Sequence, residues 1–221
     1  MKIICCAYRD WGVQISSALI GMFPEHNFVL CSDPQSFESE FYRATAPDVV
    51  LSIGWSWLFK KDVTDRCWVV GVHPSDLPDF AGGSPIQNQI LNGIEDTKNT
   101  LFRITSELDG GPIIGQIPLS LSGHIDQIFN RLVWTGIVLL SDFIRDYPDK
   151  LNLKPQKKTG DHVVYKRLKE NSGRLLPEDF LNKTTKELYD IIRCREAPYP
   201  NAYLEDDGGV LYFQMCEWKE K

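Results

Sequence analysis

The sequence predicts an α/β fold, a doubly wound and mainly parallel sheet with a small C-terminal helix and hairpin attached. Three observations predict it. Strand-length apolar runs alternate with segments whose apolar residues recur at helical spacing, the pattern of successive strand–helix–strand units. The third run, residues 48–53, is apolar almost throughout, as expected of a strand covered on both faces. A long amphipathic stretch, residues 126–147, is closed by Pro148 and supplies a helix able to pack along such a sheet.

Taken in order, residues 2–7 (Lys2-Ile3-Ile4-Cys5-Cys6-Ala7) form a first strand, and residues 13–22 carry apolar side chains at helical spacing up to Phe23-Pro24. Residues 27–31 are a second strand. Asp33-Pro34 is a helix start signal for residues 36–44. Residues 48–53 and 68–72 are the third and fourth strands. Residues 85–92 form a helix closed by Gly93, followed by strands at 100–105 and 113–119 and then the long helix. Residues 151–174 are polar and weakly periodic, with Lys154-Pro155-Gln156-Lys157-Lys158-Thr159-Gly160 expected to be most exposed. Residues 184–194 return to helix, with Thr184 and Glu187 at capping-box spacing. Residues 202–204 and 210–214 flank Glu205-Asp206-Asp207-Gly208-Gly209, a hairpin signal. The expected organisation is a core at 1–150, a linker at 151–183 and an appendage at 184–221.

At 221 residues and 43% hydrophobic content, one α/β domain has enough material for a full core without disulfides. The net charge of −6 argues against a broad nucleic-acid partner, which needs a basic face. It leaves room for an anionic small molecule held by a few local arginines. No apolar run reaches membrane-spanning length, and the first residues read as a strand rather than a secretory signal. The six cysteines lie scattered in apolar runs without a Cys-x-x-Cys pair, which points to reduced thiols in a cytoplasmic protein. His26, His124 and His162 are dispersed, so no metal site is expected. Neither Gly-x-Gly-x-x-Gly nor a Gly-Lys-Ser/Thr loop is present, and the turn Tyr8-Arg9-Asp10-Trp11-Gly12 is not a glycine nest.

The most informative stretch is Gly71-Val72-His73-Pro74-Ser75-Asp76-Leu77-Pro78, followed by Glu107-Leu108-Asp109-Gly110-Gly111-Pro112. A lone histidine closes one apolar run and a lone aspartate sits in a glycine-flanked turn after another. In open α/β sheets ligands bind beyond the carboxyl ends of the strands, where both residues are expected. A histidine and a carboxylate meeting there form an acid/base pair. The competing readings are a buried, capped histidine for His73 and an ordinary turn residue for Asp109.

These residues resemble the 10-formyltetrahydrofolate-dependent formyltransferases. The resemblance runs through His73-Pro74-Ser75, Leu77-Pro78, Gly82-Gly83-Ser84-Pro85-Ile86, Leu91-Asn92-Gly93, Thr100-Leu101-Phe102, Leu108-Asp109-Gly110-Gly111-Pro112-Ile113, Ile192-Arg193 and Pro198-Tyr199-Pro200-Asn201-Ala202-Tyr203, in the family's order. It implies a Rossmann-like catalytic core at 1–150, 10-formyltetrahydrofolate as co-substrate, and formyl transfer to a primary amine. The sequence lacks the Gly-Ser-Asn loop of the purine-pathway enzymes and is too short for the complete C-terminal domain of a methionyl-tRNA formyltransferase. The Pro-Tyr-Pro tail is more similar to that of the enzymes that formylate nucleotide-linked amino sugars. A homodimer is a further expectation. Alternatives are formylation of an aminoacyl or peptide-carrier amine, or a non-catalytic protein that binds folate and sugar nucleotides.

One departure matters. The family usually has asparagine two residues before the histidine, where its amide holds the formyl oxygen. Here that position is Gly71. Loss of an oxyanion donor typically lowers a rate by about a hundred- to a thousand-fold. Another donor replaces it, or the chemistry is slow, or the activity differs; Asn88 and Thr105 are candidate substitutes. The usual arginine before Gly82 is also missing, replaced by Ala81.

The resemblance implies that His73 donates to the oxyanion and carries a proton at the amine, and that Asp109 orients it and steadies its charged form. Ser56, Trp57 and Leu58, with Glu107 and Asp109, are the expected folate contacts. Packing of Trp55 and Trp57 on the sheet rim is the competing reading. Gly82, Gly83 and Ser84 either offer backbone N–H groups to the acceptor or form a tight turn with an N-cap at Ser84. Arg9 is expected to meet a phosphate or the folate glutamate, and Trp11 to stack on a base or sugar, unless Arg9 is simply solvated. The pairs Lys60-Lys61 and Lys166-Arg167 read as solvated faces.

Overall fold

A six-stranded sheet with the order β2-β1-β3-β4-β6-β7 forms the centre of the protein. The structure is a computed structural model and describes residues 1–43, 46–157 and 163–221. Its elements run β1 (Lys2–Cys6), α1 (Asp10–Met22), β2 (Asn27–Cys31), α2 (Pro34–Phe41), β3 (Val49–Ile53), α3 (Lys61–Arg66), β4 (Trp68–His73), β5 (Ala81–Gly82), α4 (Pro85–Leu91), β6 (Asp96–Arg103), β7 (Ile113–Ser120) and α5 (Ile125–Asp146). Beyond them come β8 (Val164–Tyr165), a 3-10 turn (Glu170–Gly173), β9 (Arg174–Leu175), α6 (Asp179–Asn182), α7 (Thr185–Arg193), β10 (Ala202–Asp206) and β11 (Gly209–Phe213).

The four strands β2, β1, β3 and β4 are parallel. All five residues of β3 are buried, consistent with cover on both faces. On one face Ile3, Cys5, Leu51, Val70 and Val72 pack against Ile15 and Leu19 of α1 and Leu140 and Phe143 of α5. On the other, Ile4, Cys6, Val50 and Val69 pack against Phe37 and Phe41 of α2 and Val63 of α3. Strand pleating assigns alternate residues to the two layers, so one apolar run serves both. α2 starts at Asp33, whose Oδ1 accepts the Ser36 N–H at 2.8 Å, while Pro34 takes the first turn. The predicted end of that helix at Ala44 lies outside the described residues, as do Lys158-Thr159-Gly160 and His162.

The expected mainly parallel sheet is present, with one difference that shapes the site. β6 runs antiparallel to β4, and β7 antiparallel to β6. The short α3 and the two-residue β5 and β8 were not anticipated; each is shorter than the periods that a sequence pattern can reveal.

The 151–183 stretch does more than cross a surface. β8 pairs with β5, Tyr165 O accepts the Gly83 N–H at 2.8 Å, and the Leu168 N–H donates to Ser84 Oγ at 3.1 Å. β9 joins β10 and β11 in a separate three-stranded sheet. α7 has the expected capping box, with Thr184 and Glu187 satisfying each other's backbone N–H. Its last turn is fixed to the core by Arg193, which binds Asp190 at 2.6 Å and donates to Leu121 O and Gly123 O at 2.6 and 2.8 Å.

All six cysteines are free thiols. Burial pushes Cys5 and Cys194 up to about 12 and Cys67 up to about 11, so these thiols stay protonated and inert near neutral pH. Among the described residues, no helix is long and apolar enough to cross a membrane.

Candidate active site

His73 is the last residue of β4, and the turn after it is held from three sides. Thr100 Oγ1 donates to Ser75 O at 2.6 Å, Gln89 Nε2 to Pro74 O at 2.7 Å, and Ser75 Oγ to Asp79 O at 2.6 Å. The imidazole is buried, and its Nε2 lies 3.0 Å from Phe80 O. A carbonyl oxygen only accepts, so Nε2 carries a proton and the neutral ring has its lone pair on Nδ1. Nδ1 is turned toward Asp109, with Oδ2 at 3.7 Å. The structure therefore brings the two sequence-predicted groups together.

The route by which they meet differs from the one expected. His73 stands at the carboxyl end of its strand; Asp109 does not occupy the corresponding end of a parallel neighbour. In the antiparallel register Thr100 faces His73 and Arg103 faces Val70, so β6 finishes toward the start of β4. The 104–112 connection folds back along the sheet face to carry Asp109 to the imidazole. Asp109 adopts φ 47°, a left-handed conformation that aspartate tolerates better than most residues. Gln156 Nε2 fixes the turn by donating to Asp109 O and Gly111 O, both at 2.7 Å. Gly111 is obligatory there, because a Cβ would sit 1.8 Å from Arg103 O. Asp109 Oδ2 also accepts the Gly82 N–H at 2.8 Å, which aims the carboxylate at His73.

Both groups open onto a cavity of about 340 Å³, within the range of small-ligand sites. Gly71 forms part of its floor. A Cβ on Gly71 would approach Ile104 Cδ1 at 2.9 Å and Phe102 Cε1 at 3.0 Å, so an asparagine there requires the Ile104 side chain to shift. Neither candidate substitute lines the cavity. Asn88 Nδ2 is bound to Gly83 O at 2.8 Å, and Thr105 Oγ1 accepts the Glu107 N–H. Ser52, paired with Gly71 in the β3–β4 register, does line it and presents a hydroxyl. Introducing Gly71→Asn is expected to cost about 1–3 kcal/mol through overpacking, read as a lowered melting temperature; adding Ile104→Ala should recover part of that loss.

The other predicted contacts divide. Ser56 lines the cavity, receiving a hydrogen bond from Arg167 Nη2 at 2.9 Å and contacting the Tyr8 hydroxyl. Trp57 and Leu58 instead line a smaller groove of about 50 Å³ beside Trp55 and Phe59. Leu58 is 83% exposed, and Glu107 lies outside the cavity lining. Gly82, Gly83 and Ser84 line it, but the N–H of Gly82 is committed to Asp109 and that of Gly83 to Tyr165 O. The Ser84 side chain forms no helix cap. The offer of free glycine N–H groups to a substrate is thus withdrawn by the fold itself. Arg9 and Trp11 both line the cavity, and Trp11 stacks on Phe129 at 6.5 Å.

Sequence reading missed Arg167, Gln87, Phe129 and Tyr199, all of which line the cavity. Arg167 belongs to a polar run with the pattern of a solvated face, and nothing local signals that β8 docks beside the His73 loop. Tyr199 carried a signal in its Pro-Tyr-Pro setting. Burial raises the Tyr199 phenol. Burial would also raise that of Tyr8, yet its Ser56 hydrogen bond and the charges of Arg9 and Arg167 together lower it. The Ser56 hydrogen bond comes first among these lowering effects, and the two guanidinium charges add to it. Among the described residues, no group of histidine, cysteine and carboxylate side chains could hold a metal ion.

Residues 31–126 match the formyl transferase family. The methionyl-tRNA formyltransferase of Lysinibacillus sphaericus is 28% identical over 167 residues, covering 74% of this chain and 52% of that protein. The chain spans about half the length of the curated relatives it matches. The methionyl-tRNA formyltransferase from Clostridium thermocellum superposes with a TM-score of 0.85 at 24% identity, covering 99% of this chain and 94% of that one. A sugar N-formyltransferase from Shewanella sp. gives a TM-score of 0.76 at 16% identity, covering 100% and 99%. The matched segment runs from β2 through β4, with His73 at its end, to the Asp109 turn and the start of α5. On these grounds the chain carries a formyl transferase match over residues 31–126 and is similar to the formyltransferase family.

Proposed function

We propose that this protein transfers a formyl group from 10-formyltetrahydrofolate to the primary amine of a nucleotide-linked amino sugar. The observation that carries the reading is the His73–Asp109 pair, 3.7 Å apart at the base of a cavity whose rim bears two guanidinium groups. The chemistry of the lining suits the donor: Trp55, Phe102 and Ile104 supply flat apolar walls, and Ser56 and Asp109 supply polar contacts. The co-substrate supplies the formyl carbon. What the chain supplies is proton handling and charge.

Attack by the amine forms a C–N bond and places negative charge on the formyl oxygen. With Nε2–H committed to Phe80 O, His73 acts through Nδ1. It takes a proton from the amine side as a base; as the imidazolium, it donates from Nδ1 to the developing oxyanion, and when the tetrahedral adduct collapses the bond from the formyl carbon to the folate nitrogen breaks and that nitrogen leaves with the proton. Asp109, fixed by the Gly82 N–H, stabilises that cation without itself having to move. Ser52 is the hydroxyl placed beside Gly71 to assist at the oxygen. Asp109→Asn keeps the turn and its hydrogen bond from Gly82 but removes the charge. It is expected to lower kcat by about a hundredfold or more and folate affinity by a much smaller factor, since the amide keeps a polar contact at that position. Stopped-assay kinetics together with a folate titration check this.

A second reading is formylation of an aminoacyl group on tRNA, favoured by the names of the curated relatives. The net charge of −6 counts against a large nucleic-acid partner. The deciding experiment incubates the protein with 10-formyltetrahydrofolate and, separately, a panel of nucleotide-linked amino sugars and methionyl-tRNA, and reads the products by mass spectrometry. A formylated sugar supports the proposal. Formylated methionyl-tRNA alone replaces it with the second reading, and consumption of neither overturns both.

A further inference from the structure

We infer that Arg9 and Arg167 form a clamp for a phosphate group carried by the acceptor, at the rim of the cavity. This deepens the amine-formyltransferase reading, on which it rests for the identity of the ligand. Three independent observations support it. First, both guanidinium groups line the cavity, and neither makes an ion pair with a carboxylate among the described residues. Arg167 is directed by its hydrogen bond to Ser56, and Arg9 lies over the Tyr8 ring at 4.9 Å. Two guanidinium groups lining one opening, neither ion-paired to the cavity's carboxylate Asp109, favour an incoming anion. Tyr8 lies beside both charges: its phenol is lowered despite burial, first by the Ser56 hydrogen bond and then by Arg9 and Arg167.

Second, Gln87 is 4% exposed and lines the same cavity; its Nε2 has no acceptor at full hydrogen-bond geometry and interacts only with the Tyr199 phenol, itself part of the lining. A buried amide donor so weakly satisfied in a site is able to turn to a ligand oxygen. Third, the element carrying Arg167 is held in place for this purpose: β8 pairs with β5, and the backbone at 165–168 is bonded to Gly83 and Ser84. Arg167, two residues beyond β8, is exposed but is thus carried on a backbone fixed at the cavity wall.

The set of donors selects the ligand class. Guanidinium forks match oxyanions, and a carboxylate on the donor's tail shares that chemistry. Two positive charges together with an amide donor call for a group with charge near minus two and at least three acceptor oxygens, which is a phosphate or pyrophosphate. Trp11 lines the same cavity and offers a flat face to a base or sugar joined to that phosphate.

The test uses the full chain and inorganic pyrophosphate as the probe, by calorimetric titration at low salt, with tetrahydrofolate titrated in parallel by fluorescence. Wild type is expected to bind pyrophosphate, and Arg9→Gln or Arg167→Gln to weaken it roughly tenfold or more. Arg167→Lys should fall between, since it keeps the charge and loses the fork. Lys61→Gln, an exposed charge on α3, should bind like wild type. Tetrahydrofolate affinity should be unchanged in all variants. Pyrophosphate binding that ignores both arginines, or falls equally in Lys61→Gln, overturns the clamp. So does a selective loss of tetrahydrofolate affinity in Arg167→Gln, which would assign the arginine to the donor's carboxylate. An unchanged KM for a phosphate-bearing amine in Arg167→Gln overturns the clamp and leaves the transferase reading standing. Arginine-dependent pyrophosphate binding in a protein that formylates no amine supports the clamp while the transferase reading falls.

Discussion

His73→Ala is expected to reduce formyl transfer by roughly a thousandfold or more, because it removes both a proton carrier and an oxyanion donor. The effect should appear in kcat. In the proposed mechanism the ring acts through Nδ1, since Nε2 is spent on Phe80 O. The structural consequence is small by comparison: Phe80 O loses one hydrogen bond, which costs about 1–3 kcal/mol. Phe80 itself remains fixed by stacking on Tyr165 at 4.8 Å. Circular dichroism should therefore show a folded protein with a modestly lowered melting temperature. His73→Gln sharpens the experiment, since its amide is able to donate but does not carry a proton at neutral pH. Rates within tenfold of wild type in either variant would remove His73 from the chemistry.

Arg193→Met is expected to produce the largest loss of stability, about 3–5 kcal/mol, by leaving a charge buried without its partner. Arg193 is 2% and Asp190 6% exposed. The guanidinium binds Asp190 at 2.6 Å and also satisfies the carbonyls of Leu121 and Gly123, just before α5. Lys186 lies 2.8 Å from Asp190 and retains part of the pairing. Urea unfolding checks the magnitude. Arg193→Met with Asp190→Leu should recover much of the loss, because the orphaned carboxylate is then gone. A deficit below about 1 kcal/mol in the single variant would show that water replaces the guanidinium. The link to function is Tyr199, which follows α7 by a few residues and lines the cavity. Loosening the helix should raise KM before it affects the chemical step.

Much of this was legible in the sequence. The parallel strands announced themselves because both-sided burial demands unbroken apolar runs, as in Val49–Ile53. Asp33-Pro34 and Thr184 with Glu187 marked helix starts because capping needs particular side chains at fixed offsets. His73 and Asp109 stood out as isolated polar groups at the close of such runs. What could not be read was strand direction and long-range docking. The antiparallel β6 has the same residue pattern as a parallel strand would, since alternation records burial and says nothing of orientation. Arg167 lies in a stretch without periodicity, and its position depends on two residues of β8 finding β5. Gly71 was recognised as a departure; that Ile104 and Phe102 had moved into the gap needed coordinates.

Gly82 and Gly83 have adjacent peptide N–H groups that point to different masters, one to the carboxylate of Asp109 and the other to Tyr165 O of β8. If Asp109 serves the chemistry and Arg167 the acceptor, as proposed, the two roles are geared together through a two-residue crankshaft. Substitutions that retune which molecule is accepted have to spare that crankshaft, or the proton relay drifts out of alignment. Diversification of this scaffold should accordingly concentrate in the side chains at 166–168 and leave their backbone path alone.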